Sequence, residues 1–338
     1  MRIMKFGGMS LETKEKTQNI CKYIKKIYKK EKQLIIIVSA MGNTTNNLIL
    51  KANDFCNKKT NKKELDLLLS TGETESAALV AMMLCSLGVT AKSFCARDLN
   101  IKTRGNFQNS KIDYIDKKPL EKCLENNTVA VVAGFQGINN FGEITTLGRG
   151  GSDTTALAIG SLFNHRVEIY SNHDGVYLGD PKILPFKKAK HINFETMKLM
   201  SLTGAKVIDS RAITLAKNKN IEIISKSSSE PNKKGTIINP IESNIISISV
   251  ISNLSLISVV FDDDDKLKII MKNVISLTNN YNLYNLTLSF NKIEFYVKSE
   301  FEKEIILFLS KKFNLLKWQN IFLLLSHTKI RRTTNGKI

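Results

Sequence analysis

The sequence predicts an α/β protein: an αβα sandwich around a mainly parallel sheet, followed by a small C-terminal domain of βαββαβ order. Three observations carry this. Residues 1–240 alternate between short apolar runs and helical patterns. Several of those runs are apolar on both faces, as strands buried in a parallel sheet must be. After "SSSEPNKKGT" (227–236) the texture changes to two strand–helix pairs joined through a tight hairpin.

Taken in order, strands are read at "MRIMKF" (1–6), "QLIIIVSA" (33–40), "TAKSFCA" (90–96), "TVAVVAGF" (128–135), "VEIYS" (167–171) and "IEIISK" (221–226). Helical segments between them include 11–31, 74–88 and 152–164. This alternation implies right-handed crossovers with helices on both faces of the sheet. Further on, "LSLISVVF" (254–261) precedes a helix over 266–281. The strands in "NLTLSFN" and "KIEFYVK", a helix over 300–313 and the strand "QNIFLLLSH" (319–327) complete the order. That is the split-βαβ pattern of a ferredoxin-like domain. The expected domains are 1–240 and 245–330.

The length of 338 residues suits two cores, and the hydrophobic fraction of 42% is that of a globular chain. No apolar run approaches the ~18 residues of a membrane span. The start, "MRIMKFGGMS", lacks the apolar segment of a secretory signal, so the chain is expected to begin there. Cys21, Cys56, Cys85, Cys95 and Cys123 are odd in number and form no C-x-x-C pair. Free thiols in a reducing cytoplasm are the expectation. The net charge of +19 sits in scattered lysine runs such as "KYIKKIYKKEK" (22–32), with little arginine or aromatic residue between them. Together with the abundance of Asn and Ile it is read as compositional drift, without nucleic acid or membrane as a partner. A basic surface still favours acidic ligands such as nucleotides.

Ligands of parallel sheets sit at the carboxyl ends of the strands, and three loops stand out there. "MKFGGMS" offers Gly7 and Gly8 for close backbone approach to a phosphate, with Lys5 as a point charge; a plain turn is an equal reading. "VSAMGNTTNN" supplies Ser39, Thr44 and Thr45 at a helix start, where hydroxyls commonly cap. "TTLGRGGSDTTALA" (145–158) follows the fourth strand through a short hairpin. There Ser152 or Asp153 would cap a helix, and Arg149 can hold a carboxylate in a two-pronged bond. "STGETES" places Glu73 at another expected helix start, as a cap or a ligand. Asp262 to Asp265 suggest a helix N-terminus rather than a calcium loop, whose glycine and terminal glutamate are missing.

In this order the elements K-F-G-G, V-S-A-M-G-x-T-T, G-E-x-x-S-A-A-L-V-A, G-F-Q-G, T-T-L-G-R-G-G-S-D-T-T-A and Y-S-x-x-D-G-V-Y-x-x-D-P closely resemble the aspartokinases of the amino-acid kinase superfamily. The resemblance spans nearly all of residues 1–240. It implies transfer of the ATP γ-phosphoryl group to the side-chain carboxylate of L-aspartate, the step that commits carbon to lysine, threonine and methionine. It places ATP phosphates at Lys5, Gly7 and Gly8, and the nucleoside end at Ser171, Asn172, Tyr177 and Lys182, with Lys206 nearby. It places aspartate against Ser39, Thr45, Glu73, Arg149, Gly150 and Ser152. Glu73 then suits the substrate ammonium group and Arg149 a carboxylate. A carboxylate acceptor of pKa ~3.9 is already ionised at neutral pH and needs no base, so Asp153 is read as holding Mg2+ or orienting Lys5.

Three positions depart from the family pattern: Asn172 for Asp, Lys182 for Arg, and Met9 for a small hydroxyl residue. Each is expected to weaken ATP binding without abolishing it. The family also ends in two ACT modules, whereas this chain has room for one. "VFDDDDKLK" lacks the Pro-Gly of an effector loop, so weakened or lost end-product feedback and a homodimer through the ACT-like module are the expectations. A superfamily kinase acting on glutamate, and a non-catalytic sensor or nucleic-acid binder, are the competing readings.

Overall fold

The computed structural model describes residues 1–56, 61–178, 187–202, 205, 207–241, 253–260, 265–289, 292–312 and 322–326. Two compact units divide the chain, Met1–Ser249 and Val250–Ile338. The first half of unit one runs β1 (Arg2–Phe6), α1 (Lys14–Tyr28), β2 (Leu34–Val38), α2 (Thr44–Phe55), α3 (Lys62–Ser86), β3 (Ala91–Phe94), β4 (Lys102–Arg104), β5 (Lys111–Tyr114) and α4 (Lys118–Glu125). Then follow β6 (Val129–Ala133), β7 (Gln136–Ile138), β8 (Ile144–Thr146), α5 (Gly151–Leu162), β9 (Val167–Ser171), β10 (His191–Asn193), α6 (Phe194–Leu202), α7 (Ser210–Lys219), β11 (Ile223–Ser227) and β12 (Thr236–Asn239).

The main sheet has the order β10-β12-β11-β9-β1-β2-β6-β3, and every pair is parallel except β11–β12. Strand alternation sorts its side chains into two cores. Ile35 and Ile37 join Ala156, Ile159 and Ala212 on one face. Leu34, Ile36 and Val38 join Ile20, Ile24, Val80 and Leu84 on the other. A continuous β-branched run such as "LIIIV" is stable only where both faces are covered, which is why β2 is central. Helix α1 begins where Thr13 Oγ1 accepts the Lys16 N–H at 3.2 Å, and Ile20, Ile24 and Ile27 form its buried stripe.

One helix differs from its expected limits. Helix α3 begins at Lys62, capped by Asn61, rather than near residue 74. Thr71 and Gly72 read as a break in the sequence, yet Gly72 is a contact point. A methyl group there would stand 2.9 Å from Ala40 Cβ. A helix glycine costs about 1 kcal/mol, and close packing of the β2–α2 loop offsets it. Helix α3 is also the one described helix long and apolar enough to cross a membrane, and half of that stretch is buried inside the fold. The hairpin expected before residue 145 is β7–β8, and it extends into a second sheet of order β5-β4-β7-β8.

Unit two runs β13 (Leu254–Val260), α8 (Asp265–Leu277), β14 (Tyr284–Ser289), β15 (Lys292–Lys298), α9 (Glu302–Lys312) and β16 (Phe322–Ser326). Its sheet, β14-β15-β13-β16, is antiparallel throughout, in the split-βαβ order. Ile257, Val259, Phe295 and Val297 alternate inward against Ile270, Val274, Ile305 and Leu309 of the two helices. Of the acidic run, Asp265 opens α8, and 262–264 lie outside the described residues.

Candidate active site

The register of the parallel strands builds the site. Phe6 pairs with Val38 and with Tyr170, and Val38 pairs with Ala133. Gly7, Ser39 and Gly134 therefore leave the sheet side by side, next to Ser171 at the end of β9. Their amides reach across to neighbouring carbonyls: Gly7 to Tyr170 at 3.1 Å, Ser39 to Phe6 at 3.2 Å and Gly134 to Val38 at 3.0 Å. Four backbone turns are thus held at one edge, the place where ligands of such sheets bind.

Lys5 lies two residues beyond Ile3, on the face of β1 covered by α5. Its Nζ stands 2.7 Å from Asp153 Oδ1, and both side chains are about nine-tenths buried. The contact is one of charge, since that oxygen is otherwise without a hydrogen-bond donor. The glycines of the first loop divide their work. A methyl group at Gly8 would collide with the Ala40 carbonyl oxygen, so Gly8 serves packing. One at Gly7 would sit 3.6 Å from Lys5 Nζ, in the space an anion approaching that ammonium would take.

Glu73 approaches the same edge from the opposite face. It sits mid-helix in α3, not at a helix start, because α3 runs on from Lys62. Its Oε1 accepts the Ala40 N–H at 3.1 Å, while Oε2 is buried without a partner. Burial pushes the carboxyl pKa up to about 7, against the Ala40 N–H, its own backbone N–H and the positive charge of Lys5. A half-satisfied carboxylate next to an ammonium suits a ligand that brings a second cation.

Ser152 and Asp153 do not cap α5. Gly150 holds the cap position at φ 64°, with no side-chain cap, and a side chain there would collide with Asp209 Cβ. The cap being taken by backbone, Ser152 and Asp153 turn inward in the first helical turn, 6% and 7% exposed. A methyl at Gly134 would stand 2.7 Å from Ser152 Cβ, so these two loops touch. Arg149 precedes this turn. Its side chain is exposed and makes no ion pair among the described residues, and its carbonyl accepts from Arg211 Nη2.

Ser39 is half-buried after β2, and Thr45 is half-buried in the first turn of α2. Neither Thr44 nor Thr45 caps that helix: Asn43 stands at the cap, and Thr44 Oγ1 donates to the Met41 carbonyl at 2.7 Å. On the β9 side, Ser171 Oγ accepts the His173 N–H at 3.2 Å and Asn172 is exposed. Tyr177 donates to Asp174 Oδ1 at 2.7 Å, and Lys188 Nζ lies 3.0 Å from Asp174 Oδ2. Lys182 and Lys206 lie outside the described residues. Met9 is 48% exposed beside Gly8.

Sequence reasoning missed four contributors: the Ala40 N–H, Gly134 in G-F-Q-G, the fully buried Asp66, and Arg211. Asp66 had a legible signal, an acid on the apolar face of "ELDLLLS". A cavity of about 560 Å3 lies away from the strand edge, along β5, α5 and α7, and none of Lys5, Glu73, Ser152 or Asp153 lines it. Convergent charge, not volume, identifies the site.

Residues 1–225 match the model of the amino acid kinase family. The aspartokinase of Rickettsia bellii is 36% identical over 286 residues, covering 82% of this chain and 70% of that one. The aspartokinase of Geobacillus stearothermophilus is 38% identical over 238 residues, covering 70% of this chain and 58% of that one. Among solved structures, E. coli aspartokinase III in complex with aspartate and ADP superposes with a TM-score of 0.76 at 19% identity, over 96% of this chain and 85% of that one.

Proposed function

The chain belongs to the aspartokinases of the amino acid kinase family, and from that premise we propose how it phosphorylates the side-chain carboxylate of L-aspartate with ATP. The reading is carried by one observation. Lys5 is ion-paired to buried Asp153 at 2.7 Å at the carboxyl edge of the sheet, and its charge also opposes the burial that raises the pKa of Glu73.

We assign the ATP phosphates to Lys5, Gly7 and Gly8, where the gap above Gly7 leaves room beside the ammonium. The nucleoside end is assigned to Ser171, Asn172 and Tyr177, with Lys182 and Lys206 following from the family pattern. Aspartate is assigned to Ser39, Thr45, Glu73, Arg149, Gly150 and Ser152. The unpartnered Oε2 of Glu73 takes the substrate ammonium, which also returns the carboxyl to its ionised form. The exposed guanidinium of Arg149 takes a carboxylate in a forked bond. The acceptor carboxylate is ionised at neutral pH, so no side chain removes a proton before attack. Catalysis is then alignment of two anions and neutralisation of their repulsion.

Magnesium fits this donor set. No cluster of three or more acidic, His or Cys ligands exists among the described residues, and Mg2+ is ordinarily held by one or two carboxylates with phosphates and water. Asp153, whose Oδ1 meets the Lys5 ammonium and no other donor, is the residue that would share it with the nucleotide. The ion would draw charge from the transferring phosphoryl group.

Residues 1–240 form the catalytic domain in this reading, working in the cytoplasm, and 245–330 form one ACT-like module that pairs two copies. The sequence has four aspartates at 262–265, whose charge would repel an effector carboxylate, so in this reading feedback by lysine or threonine is weakened or lost. Trapping the acyl phosphate with hydroxylamine tests the activity: ATP, magnesium and aspartate should yield hydroxamate, and glutamate should not. Product with glutamate alone would replace the substrate. Titrating lysine and threonine, singly and together, into the same assay tests the feedback reading, which strong sub-millimolar inhibition would overturn.

A further inference from the structure

We propose that Arg211 is a positioning residue for the reaction: its guanidinium holds the turn that carries Arg149 and so fixes where Arg149 meets the substrate. The proposal rests on the role given to Arg149 above and extends it to a residue outside the site.

Arg211 lies in the first turn of α7, capped by Asp209. Its Nε lies 3.2 Å from Asp209 Oδ1, which orients the guanidinium away from the helix. Nη1 donates to the Leu147 carbonyl at 3.1 Å and to Asn109 Oδ1 at 2.8 Å, and Nη2 donates to the Arg149 carbonyl. One planar fork thus spans both ends of the turn from residue 147 to residue 149. Lysine has a single mobile ammonium and could satisfy only part of this set.

The glycines of the turn fit the same account. Gly148 and Gly150 are both left-handed, at φ 73° and φ 64°. A methyl at Gly148 would stand 2.7 Å from the Gln108 carbonyl oxygen and 3.2 Å from Arg211 Nη1, and one at Gly150 would strike Asp209. The turn is therefore shaped against α7 and its cap. From β8 the turn is anchored by Thr146, whose amide donates to buried Asp66 at 2.7 Å. Fixed at both ends, it presents an exposed Arg149 side chain that has no ion pair among the described residues. Holding the backbone in place before substrate arrives lowers the ordering cost at binding, and a misplacement of about 1 Å can cost about 100-fold in rate.

The cavity of about 560 Å3 supplies the test, because Arg211 and Leu147 line it together with Thr154 and Leu215. Truncating Arg211 would enlarge that space by the volume of the guanidinium. In the hydroxamate assay, R211A should raise the KM for aspartate at least tenfold and leave the KM for ATP within twofold. Ethylguanidinium at tens of millimolar should restore several-fold of the loss, ethylammonium should not, and wild type should gain from neither. R211K should fall between wild type and R211A. A second readout needs no turnover: trypsin should cut the Arg149–Gly150 bond faster in R211A than in wild type, and ethylguanidinium should slow it again. If wild type makes no aspartyl hydroxamate, the assigned substrate fails while the cleavage test still decides the clamp. An unchanged aspartate KM in active R211A, equal loss for both substrates without rescue, or unchanged cleavage would each overturn the proposal.

Discussion

Two turns of one helix hold buried carboxylates that are treated in opposite ways. Asp66 and Glu73 lie on the same face of α3, 0% and 4% exposed. Burial pushes the pKa of both upward. Around Asp66 the fold fills both oxygens: Oδ2 accepts the Gln108 and Thr146 amides at 2.9 and 2.7 Å, and Oδ1 accepts Thr146 Oγ1 at 2.8 Å. Around Glu73 the fold fills one oxygen and leaves the other bare. A satisfied buried acid specifies structure, whereas a bare one costs stability that only a ligand recovers. Asp66 thus locks the β8 hairpin to α3, and Glu73, two turns along, faces the strand edge from the same rigid rod.

The largest expected effect removes the charge that Glu73 shares with Asp153. K5M should lower kcat by about 100- to 1000-fold, the usual cost of losing a preorganised charge at a phosphoryl group. It should also raise the Glu73 midpoint above about 7, because Lys5 is among the groups that hold it down. Following the Glu73 carboxyl signal against pH by NMR checks this; a midpoint that stays put would disconnect the two ends of the site.

Next in size is E73Q. Gln keeps an acceptor for the Ala40 N–H and puts a neutral NH2 group where the bare charged oxygen stood. An ammonium–carboxylate contact of about 1.5–3 kcal/mol corresponds to a rise in aspartate KM of about 10- to 100-fold. The stability effect has the opposite sign. Glu73 binds its proton more tightly folded than unfolded, so wild-type stability should fall as pH rises from about 4.5 to about 7 and level off above. The drop is of order 3 kcal/mol at most, from a pKa near 7 against 4.5. Denaturant unfolding at pH 4.5 and 8 should show this slope in wild type and not in E73Q. A variant equally stable at both pH values but no more stable than wild type at pH 8 would mean that the bare oxygen is hydrated rather than strained.

Much of this was legible in the sequence, and what was not has identifiable causes. The strands "LIIIV" and "VAVVA" announced a sheet covered on both faces, because five consecutive buried residues fit nothing else of that length. Lys5 and Asp153 were legible as motif residues, and the ion pair follows from the strand and helix that carry them. The start of α3 was not, because Gly72 looks like a break until Ala40 is known to press on it. The cap of α5 was not legible either: Gly150 takes it in place of Ser152 or Asp153, and its left-handed backbone lies against Asp209, about sixty residues away, a contact no local pattern encodes. Arg211 escaped because its acceptors in the turn are two backbone carbonyls, which every sequence has, and Asn109 lies about a hundred residues away.

The smallest expected effect is that of D66N, which separates shape from charge at Asp66 when D66A is set beside it as the disruptive change. In D66A the Gln108 and Thr146 amides both lose their acceptor inside the protein. At about 1–3 kcal/mol for each buried donor left unpaired, the variant should lose roughly 2–6 kcal/mol by denaturant unfolding. D66N should lose less than about 1 kcal/mol, for a geometric reason. The amide oxygen can stand where Oδ2 stands and accept both backbone N–H groups. The NH2 group then faces Thr146 Oγ1, and that hydroxyl can rotate from donor to acceptor. Losing a buried charge offsets the weaker hydrogen bonds, since burial already disfavours the ionised form of Asp66. Aspartate KM should stay within about threefold in D66N, because a loss below about 1 kcal/mol that keeps the hairpin's hydrogen bonds leaves Glu73 untouched. If D66N instead matched E73Q in its effect on aspartate KM, Asp66 would act on substrate through its charge, and the two turns of α3 would not divide structure from binding.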